Sequence, residues 1–284
     1  EHMKLMRVGD KGQEIPVVEY QGAHYDASAA VKDFDPEFFA TGGIETLRAA
    51  LERGELPNAD IAGQRLGAPL TRPSAVICIG QNYVEHAAES GDAPPKLPII
   101  FFKTPNTLTG PNDDIALPPG SEKSDWEVEL VIVMGKQAAY LETETEAAEC
   151  IAGYTLADDL SERAYQIEDS GGQWSKGKCI KDYMPLGPVV VTADEFDPHD
   201  VALSSSVNGE PRQGSRTSDM IFSVEYIVKH LSHYMQLEPG DIISTGTPKG
   251  VALSGKFPYL KAGDVVEVEI EGIGQQRHRM VARA

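Results

Sequence analysis

The chain has 284 residues, 41% of them hydrophobic and 24% charged, which is enough to bury a substantial globular core. A formal net charge of −19 argues against nucleic acid and anionic membranes as partners, and no apolar run approaches the roughly 20 residues that span a bilayer. No signal peptide is visible, so a cytoplasmic setting is expected, and the scattered Cys78, Cys150 and Cys179 do not form a disulfide framework.

Glu1-His2-Met3 reads as a remnant ahead of a native Met and is set aside. Residues 4–32 suggest short strands and turns, and 33–52 carry a helix-like pattern with Leu47 and Leu51 one turn apart. Residues 53–70 are loop-like, and the change of character there predicts a small N-terminal domain over 1–70 and a main domain over 71–284. Strands are predicted at 74–80, 98–103, 126–134, 151–157, 186–192 and 201–207. Asn208-Gly209 signals a hairpin, because both central positions of that turn need positive φ. A short helix is predicted over 82–90, with Asn82 as its cap and Glu85 answering it. Further helices are expected over 161–168 and, as the best of them, 218–235. Leu237-Glu-Pro-Gly-Asp-Ile-Ile243 and Leu260-Lys-Ala-Gly-Asp-Val-Val266 are similar phrases that turn chemistry alone explains. Strands outnumber helices without regular β–α alternation, so the expected class is α+β and sheet-dominated.

The chemistry gathers in Trp126-Glu-Val-Glu-Leu-Val-Ile-Val133. Alternate residues of a strand share a face, so Glu127 and Glu129 point the same way as Val131 and Val133. Buried like charges need a compensating cation or a proton. A hard metal ion held by oxygen satisfies that need, and so does pairing with Lys or Arg across the sheet. A further ligand is expected from Asp158-Asp159, at the end of a strand. His86 and Glu89 share one helix face, where a carboxylate makes imidazole a better base, and the flanking Gly/Pro-rich sequence suits a mobile lid. A chance surface pair fits the same spacing. Arg163 and Gln166 lie within one turn and suit a carboxylate. The lysines of Gln173-Trp-Ser-Lys-Gly-Lys178 sit beside glycines, and Ser244-Thr-Gly-Thr-Pro-Lys-Gly250 is a Gly-broken turn suited to an anion. His230 and His233 lack a metal-binding pattern and read as structural or exposed.

Taken in order, these segments resemble the fumarylacetoacetate hydrolase family, in particular its bacterial branch of acylpyruvate and 2,4-diketo-3-deoxy-L-fuconate hydrolases. The motifs are Gly80-Gln-Asn-Tyr-Val-Glu-His-Ala-Ala-Glu89, Phe102-Lys103 through Gly110-Pro111, Asp125-Trp-Glu-Val-Glu-Leu130, Asp159-Leu-Ser-Glu-Arg-Ala-Tyr-Gln166, Gln173-Trp through Pro185-Leu-Gly-Pro188, and Ser244-Thr-Gly-Thr-Pro-Lys-Gly-Val251. The resemblance implies a mixed β-sandwich roll and a homodimer. It implies Mg2+ or Mn2+, with Ca2+ a further fit, on Glu127, Glu129 and Asp159. It implies His86 and Glu89 as a water-activating pair, Lys178 as the site lysine, and substrate contacts from Tyr83, Lys103, Arg163, Gln166 and Thr247. The implied reaction is hydrolysis of a carbon–carbon bond in a small anionic diketo acid, yielding pyruvate and a second acid. Decarboxylation of an oxaloacetate-type acid, isomerisation of a hydroxydienedioate, and metal or small-acid binding without catalysis are the alternatives. Asp158, where relatives often have Asn, and Cys179-Ile-Lys-Asp182 depart from the family pattern.

Overall fold

Val128–Met134 organises the molecule. Its β-branched residues favour extended backbone, and every residue in it is buried. In the computed structural model, which describes residues 3–283, this strand pairs antiparallel with Ile151–Asp158 on one side and Ile242–Ser244 on the other. The full sheet has nine strands, in the order Ala23–Asp26, Ile15–Tyr20, Met3–Val8, Val190–Thr192, Ile151–Asp158, Val128–Met134, Ile242–Ser244, Val76–Gly80, Ile99–Lys103. It is mixed, because Ile242–Ser244 runs parallel to Val76–Gly80. A second sheet of five strands contains Glu210–Arg216, Ala202–Val207, Val265–Ile270, Gly274–Val281 and Ile115–Ala116.

The two faces of Val128–Met134 enter different cores, as strand alternation requires. Val128, Leu130, Ile132 and Met134 pack with Val266, Val268 and Ile270 of the second sheet and with the helix Val224–Leu231. Val131 and Val133 pack with Met3, Leu5, Phe34, Phe38 and Leu47 from the N-terminal segment. That segment also extends the large sheet, through pairing of Met3–Val8 with Val190–Thr192. The fold is therefore α+β and dominated by sheet. Of Glu1-His2-Met3, Glu1 and His2 lie outside the described residues, while Met3 opens the strand Met3–Val8 and is buried, and among the described residues no helix is long and apolar enough to cross a membrane.

Several elements differ from expectation. Asn82 does not cap its own helix, which runs Val84–Glu89 with Tyr83 at the cap position and no side-chain cap bond. The buried Asn82 side chain instead donates to the Thr245 carbonyl at 2.8 Å and the Phe222 carbonyl at 3.1 Å, and accepts from the Phe222 amide at 2.8 Å. Its own carbonyl takes the Ile221 amide at 2.7 Å. These bonds hold residues 221–222 out of the long helix expected over 218–235, which starts only at Val224, with the Ser223 hydroxyl accepting from the Tyr226 amide. The segment 161–168 divides into a strand, Ser161–Glu162, paired with Ser124–Asp125, and a wide helical turn, Ala164–Glu168. The strand expected from 186 begins at Val190, because Pro188 has no N–H to give the ladder. Asn208 and Gly209 adopt φ values of 52° and 80°, as the hairpin needs.

Candidate active site

The strand Val128–Met134 and the residues just before it aim Glu127 and Glu129 at the end of Ile151–Asp158, where the chain turns and Asp159 follows. The Asp159 amide donates to the Glu127 carbonyl at 2.9 Å, which fixes the two segments together. One oxygen from each of Glu127, Glu129 and Asp159 lies within 4.8 Å of the others, and all three residues are buried.

Three cations share this cluster. Lys178 Nζ lies 3.2 Å from Glu127 Oε1 and 3.0 Å from Asp159 Oδ2, and Lys103 Nζ lies 2.6 Å from Asp159 Oδ1. Arg163 reaches Asp125 with Nε at 2.9 Å, Glu127 with a terminal nitrogen at 2.9 Å, and Gln166 Oε1 with the other terminal nitrogen at 2.9 Å. Among the described residues, no lysine, arginine or histidine pairs with Glu129. It accepts from the Ser244 hydroxyl at 2.7 Å and the Gly246 amide at 3.0 Å. Basic neighbours thus satisfy Glu127 and leave Glu129 with neutral donors.

The electrostatics follow from that asymmetry. Burial acts to raise the Glu127 carboxyl, but Lys178 and then Arg163 outweigh it and hold it well below the usual carboxylate range. Burial, reinforced by the negative charges of Asp159 and Glu127, pushes the Glu129 carboxyl well above that range. Burial works against the Lys178 ammonium, but Asp159 and Glu127 more than offset it and raise its pKa, so it stays a cation. Four buried carboxylates, with Asp125 counted, face three basic side chains. A cluster of converging hard oxygen donors that cannot all ionise without another positive charge fits a divalent cation such as Mg2+ or Mn2+.

A cavity of about 380 Å3 opens over the cluster, and His86, Glu89, Glu127, Arg163, Lys178 and Thr247 are among its lining residues. His86 Nδ1 lies 2.9 Å from Glu89 Oε1. A carboxylate can only accept, so Nδ1 carries the proton and Nε2 is left as the basic nitrogen. Glu89 is itself fixed by the Gly250 amide, 3.1 Å from Oε2, and Glu85 on the same helix pairs with Lys249 at 3.2 Å. A larger cavity, about 720 Å3, lies beside Arg7, Arg65 and Asn106. Arg7 and Arg65 in its lining are paired with Asp33, Asp113 and Glu14, and its described lining holds no histidine or cysteine.

Comparison with known proteins agrees with this geometry. Residues 75–281 match the family model described as fumarylacetoacetate (FAA) hydrolase C-terminal. The chain belongs to the fumarylacetoacetate hydrolase family. Among solved structures it is similar to a fumarylacetoacetate hydrolase from Exiguobacterium antarcticum, 36% identical, TM-score 0.87, covering 99% of this chain and 100% of that one. It is similar to a 2-hydroxyhepta-2,4-diene-1,7-dioate isomerase from Mycobacterium marinum, 32% identical, TM-score 0.78, covering 99% of each. It is also similar to a fumarylpyruvate hydrolase from Pseudomonas aeruginosa in complex with Mn2+ and pyruvate, 29% identical, TM-score 0.67, covering 78% of this chain and 93% of that one.

Not every residue that the family resemblance singles out meets the cavity. Gln166 lines it, while Lys103 is 2% exposed and sits beneath the cluster on Asp159 and the Leu160 carbonyl. Tyr83 lines a different, smaller pocket, and its hydroxyl has no hydrogen-bond partner among the described residues. The Thr247 hydroxyl donates to the Val128 carbonyl at 2.8 Å and accepts from Gln213 Nε2 at 2.8 Å. It therefore has no proton to offer an anion. Asp158 turns away from the cluster, accepting from the Glu127 amide at 2.9 Å and lying 2.8 Å from His278 Nε2.

Other residues that shape the site escaped sequence reasoning. Asp125 accepts from the amides of Trp126, Ala252 and Leu253 as well as from Arg163, tying the 250–253 turn to the arginine. The Ser244–Gly250 turn does present donors, but they are taken by the protein's own Glu129 and Glu89 carboxyl groups. Gly246, at φ 104°, brings its amide to Glu129, and a Cβ there would lie 2.7 Å from Asn82 Cβ. His278 carries no local signal, since its partner is 120 positions away.

Proposed function

We propose that this chain is a divalent-metal-dependent hydrolase that cleaves a carbon–carbon bond in a small acylpyruvate-type diketo acid. The observation that carries the proposal is an oriented imidazole, His86, on the same cavity as the Glu127 carboxylate and the Lys178 ammonium. Binding alone needs no base.

Glu127, Glu129 and Asp159 would hold the ion. When bound, it supplies Lewis-acid stabilisation of the negative charge that develops on the keto-acid end of the substrate. Arg163 keeps terminal N–H groups beyond those given to Glu127 and Gln166, and these orient the substrate carboxylate. His86 Nε2 takes a proton from water, and the oxygen attacks the carbonyl carbon of the acyl group. The bond between that carbon and the pyruvyl methylene breaks, and its electron pair goes to the pyruvyl carbon as an enolate. Lys178, held cationic by Asp159 and Glu127, stabilises the enolate charge. Protonation at carbon gives pyruvate, and the acyl group leaves as the second acid, so one water is consumed per bond cleaved.

Isomerisation of a hydroxydienedioate is the second reading, favoured by the likeness to the Mycobacterium marinum isomerase over 99% of both chains. It moves a proton and releases no pyruvate. The deciding experiment assays pyruvate release from acetylpyruvate with Mn2+, then with EDTA. Release that needs the metal supports hydrolysis. No release, together with a metal-dependent spectral shift of a hydroxydienedioate, supports the isomerase and refutes our reading.

A further inference from the structure

The cavity changes character from its floor to its mouth. On the floor, the Lys178 ammonium lies 4.8 Å from the centre of the Phe101 ring. Phe101 meets Trp174 edge-on, with ring centroids 5.7 Å apart. Trp174 in turn covers Gly80 so closely that a Cβ there would lie 2.5 Å from the indole. Gln81 follows, with its backbone at φ 54°, and its side-chain amide donates to Asp92 Oδ2 at 2.6 Å. Burial falls along this path, from Phe101, which is buried, to Asp92, which is exposed. The wall beyond the floor is thus aromatic, and among the described lining residues the exposed charged side chain is the Asp92 carboxylate.

Among the described residues lining the cavity, the lysine and arginine side chains are Lys178 and Arg163. Both are engaged by Glu127 at the floor, Lys178 also by Asp159 and Arg163 also by Asp125. A second carboxylate on an acyl half that extends from the floor toward the mouth along Trp174 would approach Asp92 and meet no lysine or arginine among the described lining residues. The Asp92 carboxylate repels a second anion at that end of the cavity, and no lining cation there offsets the repulsion.

We infer that the acyl half of the substrate is uncharged, a short alkyl or hydroxylated chain, and that Asp92, held by Gln81, sets this preference. The inference rests on the proposed hydrolase reading. It separates this chain from relatives whose names carry a second carboxylate, the fumarylpyruvate hydrolase and the dioate isomerase.

The test compares kcat/KM for acetylpyruvate and fumarylpyruvate with Mn2+ in the wild type and in Asp92→Lys. The wild type is expected to favour acetylpyruvate at least tenfold, the scale of one missing charge-assisted hydrogen bond. Asp92→Lys is expected to raise the fumarylpyruvate-to-acetylpyruvate ratio at least tenfold. A wild type that prefers fumarylpyruvate, or a ratio that does not move in the variant, overturns the inference. If neither compound is cleaved, the hydrolase reading itself fails. Calorimetric titration of both compounds onto Mn2+-loaded His86→Ala still reads the preference: tenfold tighter acetylpyruvate upholds it, and equal or tighter fumarylpyruvate overturns it.

Discussion

Replacing Glu89 by Gln tests the water-activating pair at a single atom. Glu89 accepts from His86 at 2.9 Å through Oε1, and the Gly250 amide is shared between its oxygens, 3.2 Å from Oε1 and 3.1 Å from Oε2. Glutamine has one acceptor and one donor in the same space. If its oxygen faces His86, that oxygen can still accept from the Gly250 N–H at about the 3.2 Å of the Oε1 contact, while its NH2 group takes the place of the acceptor at 3.1 Å. If it flips, it donates to Nδ1, the proton moves to Nε2, and the base is lost. In either case the imidazolium formed during proton transfer loses its counter-charge. Two unit charges about 4 Å apart interact by ~2–4 kcal/mol at an effective dielectric of roughly 20–40. That corresponds to a fall in kcat of roughly 30- to 1,000-fold, at 1.36 kcal/mol per decade. KM is expected to stay within about threefold, because neither residue is asked to hold the substrate's keto-acid end. The assay is acetylpyruvate turnover at saturating Mn2+, read as loss of enol absorbance, with the melting temperature as a control on folding. A Glu89→Gln enzyme with wild-type kcat would refute the assignment of His86 as base, and a rise in KM alone would make the pair a binding element.

Further outcomes follow from the cluster and the packing. Lys178→Met removes the cation shared by Glu127 and Asp159 and should destabilise the EDTA-treated protein by about 3–5 kcal/mol; thermal unfolding should show a smaller loss with Mn2+ present, and an equal loss in both conditions would argue against an ion site there. Asp125→Asn sets an amide NH2 against donors at a buried four-bond hub and should cost about 3 kcal/mol in denaturant unfolding; a change under 1 kcal/mol would show that the hub is dispensable. His199, 2.6 Å from Asp197 and 2.5 Å from Glu225, has a raised pKa because the two carboxylates outweigh its burial. A raised folded pKa stabilises fully below the unfolded value, about 6.5, and that contribution fades as pH rises through the folded value. His199→Gln should therefore lower the melting temperature more at pH 5.5 than at pH 9, and the reverse order would contradict the ion pairs.

Local sequence determined the elements whose information is contained in a few adjacent residues. The alternation in Trp126–Val133 was enough to place Glu127 and Glu129 together and to give the strand two buried faces, because side-chain direction in a strand depends only on parity. Asn208-Gly209 fixed a hairpin for the same kind of reason, and the His86–Glu89 spacing produced a contact within one helical turn. Family resemblance singled out Asp159 rather than Asp158; Asp159 lies with Glu127 and Glu129 in the buried triad, while Asp158 contacts His278.

Tertiary structure decided whatever depended on a distant partner. Asn82 has the local chemistry of a helix cap, yet the amides of residues 221–222 and the carbonyl of Thr245 offered it a buried, fully bonded position that a cap exposed to water could not match. The same contacts shortened the helix that periodicity alone would have extended. The family resemblance implies substrate contacts from Lys103 and Thr247, and only the fold shows that the first is engaged with Asp159 and that the second, while lining the cavity, donates to the backbone of Val128. A short-range pattern fixes which way a side chain points. Which donor or acceptor it meets is settled only when segments 100 or more positions apart are brought together, because a buried polar group takes the best partner in space and not the nearest in sequence.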